Sequence, residues 1–211
     1  MASPPANIIF DFDGTLADTL PAYLAILYRN QDFDPKTLAS DQLKRLQQMS
    51  LHKVFSYLRA SPLSRLRVLL FHYLRMHNTI GQAGLFPGVR EAIAELKAQE
   101  HRLFIVTSNT ERNVLGFLKS KHLEHYFEAI HHVFVARKAA GLADFVRQRG
   151  LDISETMYIC NEEADMRAVS NIGLQAIGVL WSGQDPSMFK THGAVAVVKT
   201  PAELLSLKLL Q

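Results

Sequence analysis

The sequence predicts an α/β fold: a parallel sheet with helices on both faces and a small all-helical unit inserted after the first strand. Three observations carry that expectation. Apolar runs of strand length alternate with helical patterns of roughly 10–15 residues from Val89 onward, the rhythm of successive βα units. The segment from Asn7 to Asp13 begins as a short buried strand and ends in a pair of carboxylates, Asp11 and Asp13, followed by a Gly14-Thr15 turn. Residues 18 to 80 then show helical periodicity and no strong strand, which is too much chain for a connection.

The insertion reads as several amphipathic helices. Apolar residues recur at Leu20, Tyr23, Leu24 and Leu27, at Leu43, Leu46 and Met49, and at Val54, Tyr57 and Leu58. A longer helix after Pro62 is expected to bury Leu66, Leu69, Leu70, Tyr73 and Leu74 on one face. A block of this size is expected to pack as its own unit. The division is 1–17 with 86–211 for the core and 18–85 for the insertion, with Phe86-Pro87-Gly88 as the return hinge.

In the core, helices are expected at Val89–Gln99, Thr110–Ser120 (Thr110 as N-cap), Lys138–Arg149, Glu163–Asn171 and Pro201–Leu210. Gly150 and Gly173 close the third and fourth of these. Strands are expected at Arg102–Thr107, Ala129–Val135, Thr156–Cys160, Gln175–Val179 and Ala194–Val198.

Composition bounds the function. The chain has 211 residues, a formal charge of +3, 48% apolar and 20% charged residues, so it is globular rather than disordered or low-complexity. One cysteine, Cys160, excludes an internal disulfide and any CxxC zinc site. The charge is too small to demand nucleic acid, and no segment reads as a signal or a membrane span. A cytoplasmic protein without a membrane or nucleic-acid partner is expected.

The ends of parallel strands gather active sites. Four such ends carry polar groups: Asp11-x-Asp13-Gly14-Thr15, Thr107-Ser108-Asn109, Arg137-Lys138 and Asn161 to Asp165. Ser108 precedes Lys138 by 30 residues and Lys138 precedes Asn161 by 23, about one βα unit each, so one crevice can collect them. Two adjacent carboxylates repel and call for a positive counter-charge, for which Mg²⁺ with oxygen ligands is suited. One carboxylate can attack phosphorus while the other moves protons. Ser108 and Asn109 can bond phosphoryl oxygens, and Lys138 can neutralise charge.

These residues resemble the haloacid dehalogenase-like hydrolase superfamily, and the resemblance extends over nearly the whole chain. Asp11-Phe12-Asp13-Gly14-Thr15 matches its first motif, Ser108 the second, Lys138 the third, and Asn161 to Asp165 occupies the place of the acidic fourth. The branch it is most similar to is that of phosphoglycolate phosphatases with a helical cap. The resemblance implies a Rossmann-like core and an Mg²⁺-dependent phosphatase for a small phosphorylated metabolite, phosphoglycolate-like or a sugar phosphate. It implies Asp11 as nucleophile and Asp13 as general acid/base. Gly14, Ser108, Asn109 and Lys138 would bind the phosphate, and Asp11, Asp13, Asn161 and Asp165 the metal.

The fourth motif departs from Gly-Asp-x-x-x-Asp: it reads Cys160-Asn161-Glu162-Glu163-Ala164-Asp165. An amide oxygen can ligate Mg²⁺ but brings no charge, so weaker metal binding is expected. Cys160 reads as a small core residue, with a redox-active thiol as the sharper alternative. Two other functions stay open: a degenerate member that binds a phospho-ligand or a protein, and a phosphomutase. Between Ser40 and Ile80, Lys44, Arg45, Lys53, Arg59, Arg65, Arg67 and Arg75 face a single acid, Asp41, a pattern of either a solvated face or an anion-attracting cap.

Overall fold

The computed structural model describes residues 6–29, 34–47, 49, 51–74 and 80–210. Six parallel strands form one sheet: β1 (Asn7–Phe10), β4 (Arg102–Thr107), β5 (Phe127–His132), β6 (Thr156–Cys160), β7 (Gln175–Val179) and β8 (Ala196–Val198). Their order is β5-β4-β1-β6-β7-β8. β1 pairs with β4 on one side and β6 on the other, Phe10 lying opposite both Ile105 and Ile159. The chain builds leftward from β1 and then crosses to its right side, so the crevice of a doubly wound sheet opens at the end of β1.

Alternation along each strand divides the core. Ile8, Phe10, Leu103, Ile105, Met157 and Ile159 point to one side; Ile9, Phe104, Val106, Tyr158 and Cys160 point to the other. The first side is covered by α5 (Val89–Ala98), α6 (Glu111–Lys121) and α10 (Pro201–Leu205). The second is covered by α7 (Lys138–Gln148), α8 (Glu163–Asn171) and α9 (Pro186–Thr191). α9 was not expected from the sequence. It lies close because β7 offers a glycine: a Cβ on Gly178 would come within 2.3 Å of the Phe189 ring.

The insertion holds α1 (Leu20–Arg29), α2 (Ser40–Gln47), α3 (Leu51–Tyr57) and α4 (Pro62–Leu74). It leaves and rejoins the core through an antiparallel ribbon, β2 (Ala17–Asp18) paired with β3 (Gly84–Leu85). Two-residue strands have no periodicity to read, so this ribbon is invisible in the sequence. Leu27, Leu46, Val54 and Val68 are fully buried, and they join the cluster on the α5/α6 side instead of forming a separate core.

α4 corrects one expectation. Its described buried residues are Ser64 and Val68, four apart, whereas Leu63, Leu66 and Leu70 are 55%, 51% and 48% exposed. A leucine-rich helix has more than one apolar stripe, and packing here chose the one through Val68. The side chains of Leu43, Lys44, Leu69, Tyr73 and Leu74, and all of Arg75, lie outside the described residues.

Other boundaries shift by a few residues. The strand expected at Ala129–Val135 runs Phe127–His132 and gives way to a short 3₁₀ turn, Val135–Arg137. Phe134 and Val135 are apolar yet exposed, which is why hydropathy overextends the strand. The last helix stops at Leu205. Thr110 caps α6 as expected, accepting from Asn113 N at 3.2 Å. Among the described residues no helix is long and apolar enough to cross a membrane.

Candidate active site

The ends of β1, β4 and β6 converge with the start of α7 on one buried ion cluster. Lys138, the first residue of α7, places Nζ 2.9 Å from Asp11 Oδ1 and 2.6 Å from Asp165 Oδ2. The three side chains are 10% exposed or less. Asp165 is also 3.3 Å from the Tyr158 hydroxyl, which lies 3.1 Å from Val106 O. One ammonium therefore serves two carboxylates. Burial pushes the Asp11 carboxyl well above its ordinary range, Lys138 pulls it down, and the charges of Asp165 and Asp13 push it up again. Burial works against the Lys138 ammonium, but Asp11 and Asp165 overcome it and hold its pKa well above the usual lysine value.

Asp11 follows β1 and is buried; Lys138 fixes its Oδ1, and its Oδ2 has no hydrogen bond to the described residues. Asp13 is held differently. Thr19 donates to its Oδ1 at 2.6 Å, and Asn109 Nδ2 lies 3.2 and 3.0 Å from its two oxygens. Asn109 Oδ1 accepts from Thr110 N and Asn113 Nδ2. The Asn109 amide is thus bonded within the chain, as a support for Asp13. Thr19 was missed altogether: it lies six residues from Asp13, and only the turn through Ala17 brings them together.

Gly14 has a structural part as well as the one expected. Its N–H donates to Ala17 O at 2.8 Å. Its φ is +77°, and a Cβ there would sit 2.0 Å from Asn161 Nδ2. Gly14 is needed so that Asn161 can approach the first motif. Asn161 accepts from Thr15 Oγ1 at 3.3 Å and donates to Ser182 Oγ at 3.1 Å. Ser108 sits half-buried at the end of β4, and its hydroxyl has no hydrogen bond to the described residues.

The charge balance shows what the site lacks. Asp11 and Asp165 share the single Lys138 ammonium with Asp13 close by, and the Asp11 carboxyl is raised first by burial and further by the charges of Asp165 and Asp13. A divalent cation with oxygen ligands suits that balance. Asp11, Asp13 and Asn161 are the residues that could offer it oxygens. Asp165 is taken up by Lys138 and Tyr158. Among the described residues no cluster of three or more His, Cys, Asp or Glu is arranged for a metal, because an amide stands where a third carboxylate would be. His132 bonds Asn109 O through Nδ1, and His131 packs on Phe145; neither reads as a zinc ligand.

Cys160 is fully buried, and burial with the charges of Asp165 and Asp11 pushes its thiol well up. That is a packing cysteine, with no access for an oxidant and little thiolate.

A cavity of about 470 Å³ adjoins this cluster at Asp13, Gly14 and Asn161. The insertion supplies Leu20, Tyr23, Leu24 and Met49 to its walls, and the core supplies Phe86 and Trp181. Trp181 donates to Thr15 O at 2.9 Å, which fixes its ring at the rim. Glu162 lines the cavity half-buried, and burial together with the Asp165 charge pushes its carboxyl up to about 7. Glu163 instead pairs with His192 and Arg167 on the outside.

The Glu162 shift has a stability consequence. A carboxyl raised from 4.5 to about 7 on folding favours the folded state fully only below its unfolded value, and the benefit is lost as pH rises through 7. Glu162→Gln removes that loss. The variant is expected to gain on the order of 2 kcal/mol over the parent between pH 5 and pH 8. Urea unfolding at the two pH values measures it, and an equal difference at both would contradict it.

The comparisons agree with this architecture. The family model described as "Haloacid dehalogenase-like hydrolase" matches residues 8–179. A phosphoglycolate phosphatase of Synechococcus elongatus is 29% identical over 200 residues, covering 94% of each chain. A phosphorylated carbohydrates phosphatase of Thermotoga maritima is 28% identical over 214 residues, covering 94% of this chain and 96% of that one. Among solved structures, a haloacid dehalogenase-like family protein of Streptococcus pneumoniae aligns with a TM-score of 0.78 at 18% identity, over 98% of this chain and 99% of that one. Sheet order, a helical insertion after the first strand and the family match together place the chain: it belongs to the haloacid dehalogenase-like hydrolase family, as a hydrolase of phosphatase type.

Proposed function

We propose that the chain is a magnesium-dependent phosphatase that hydrolyses a small phosphorylated metabolite through an aspartyl-phosphate on Asp11. The observation that carries this reading is the division of labour between the two first-motif carboxylates. Asp11 is pinned through one oxygen to Lys138, and the other has no hydrogen bond to the described residues, which suits a nucleophile. Asp13 is oriented by Thr19 and Asn109 at the cavity wall, which suits an acid/base that must swing between two protonation states without moving.

In the first step Asp11 Oδ2 bonds to phosphorus, the ester P–O bond breaks, and Asp13 gives its proton to the departing oxygen. In the second, water bonds to phosphorus, Asp13 takes its proton, the bond between phosphorus and Asp11 Oδ2 breaks, and phosphate leaves with the Asp11 carboxylate restored. Lys138 offsets charge on Asp11 and the transferring group, and Ser108 donates to a phosphoryl oxygen. Asp11, the Asp13 carbonyl and Asn161 would hold Mg²⁺, which when bound supplies positive charge to the phosphoryl oxygens. Residues 18–85 act as a cap that closes over the cavity and excludes water in the first step. The relatives named above act on phosphoglycolate and on phosphorylated carbohydrates, and both classes are candidates.

Asn161 supports a second reading, a phospho-ligand-binding protein with little turnover. One assay separates the two. Phosphate release from an aryl phosphate is expected with Mg²⁺ and is abolished by EDTA, and Asn161→Asp is expected to tighten Mg²⁺ about tenfold by adding a charged ligand. Silence in both proteins, with ligand binding retained, would favour the second reading.

A further inference from the structure

On the phosphatase reading above, the cavity next to Asp13 and Asn161 would receive the part of a substrate that lies beyond its phosphate, so its chemistry bears on which phosphomonoesters fit. Its described walls carry three acids, Asp13, Asp18 and Glu162, and no Lys, Arg or His. The three acids differ in what they already bind. Asp13 is taken by Thr19 and Asn109. Asp18 accepts from the Leu20 N–H at the start of α1. Glu162 differs: it precedes α8 at the N-cap position, where its carbonyl accepts from Met166 N, yet its carboxylate makes no capping bond and no hydrogen bond to the described residues. Lys53 of α3 is near enough to act on Glu162 and Asp185 through its charge, but it is not part of the wall. The remaining wall is largely apolar and aromatic, with Tyr23, Leu24, Met49, Phe86 and Trp181.

Such a surface is poorly matched to a second anion. Among the described wall residues, a carboxylate two bonds from the phosphate ester oxygen would meet Glu162 and apolar side chains with Lys53 set back from the wall, and a charge left without a direct partner against apolar walls is costly. A donor there finds an unused acceptor. Resting on the phosphatase reading above, we propose that the enzyme selects phosphomonoesters whose leaving group carries a hydrogen-bond donor, a hydroxyl or an ammonium, and no second anion, with Glu162 as the residue that reads that group.

A size-matched series tests this: 2-hydroxyethyl phosphate, phosphoethanolamine, phosphoglycolate and ethyl phosphate, compared by kcat/KM for phosphate release with Mg²⁺. The hydroxyl or the ammonium compound is expected to exceed phosphoglycolate about tenfold or more, and whichever leads identifies the donor. Glu162→Gln is expected to narrow that ratio about fivefold, a change in selectivity that misfolding alone does not produce. Glu163→Gln, next door but facing outward, is expected to leave the ratio as it was. Phosphoglycolate at or above both donors, or ethyl phosphate equal to them, overturns the inference while leaving the phosphatase intact. Hydrolysis of none of the four overturns the phosphatase reading and the inference with it.

Discussion

Asp11→Asn is expected to abolish phosphate release, by about 10⁴-fold or more, because the second oxygen of Asp11 is the atom that attacks. The same change is expected to leave stability equal or greater. Burial holds the Asp11 carboxyl well above its ordinary range, so folding a charged Asp11 costs free energy at any pH above that raised value. An uncharged amide of the same shape avoids the cost and still offers an oxygen to Lys138. Single-turnover phosphate release and urea unfolding at pH 7.5 check both halves. Turnover retained in the variant would remove Asp11 from the nucleophile's place, whereas loss of activity with loss of fold would say only that the cluster had collapsed.

Lys138→Met reverses the pattern. It is expected to lose activity and a large part of the stability, about 3–5 kcal/mol, since Asp11 and Asp165 would be left buried with no counter-charge. The deficit is expected to shrink as pH falls, because protonation neutralises both carboxyls and needs no lysine. Urea midpoints at pH 5 and pH 8 give the sign directly. A deficit independent of pH would mean that lost packing against the Tyr158 ring, 6.0 Å from Nζ, outweighs the charge. The two variants form a pair: removing the acid spares the fold, removing the base does not.

The residues that could be read from the chain are those whose position follows from a strand end. Asp11, Ser108, Lys138 and Asn161 each close or follow a β-strand, and parallel strands bring such ends together without further information. What could not be read depends on how a turn folds back. Thr19 reaches Asp13 because residues 14–17 curl on themselves through Gly14 N to Ala17 O and Ala17 N to Phe12 O. Asn109 supports Asp13 while its amide is drawn into the Thr110–Asn113 turn as well. Tyr158 was expected only as part of a strand, and nothing local marks its hydroxyl as a partner of Asp165. The misjudged face of α4 has the same origin: a local apolar count cannot say which stripe the rest of the chain will cover. Glu162 and Glu163 were indistinguishable as adjacent acids, and the first turn of α8 separates them, one to the cavity and one to His192.

The ribbon of Ala17–Asp18 against Gly84–Leu85 puts both crossings of the insertion at one point, and Thr19 is the first residue past it. Thr19 is therefore a member of two structures at once. Its hydroxyl grips Asp13, while its carbonyl accepts from Ala22 N in the first turn of α1. On the proposed closure of the cap, any swing of α1 about that ribbon would carry the hydroxyl with it. The posture of the insertion and the hydrogen bonding of Asp13 would then share one equilibrium, and a substitution in residues 20–74 that biased the insertion open would also slacken Asp13 without touching the crevice. Distant lesions of that kind would register as losses in turnover with the phosphate-binding residues all in place.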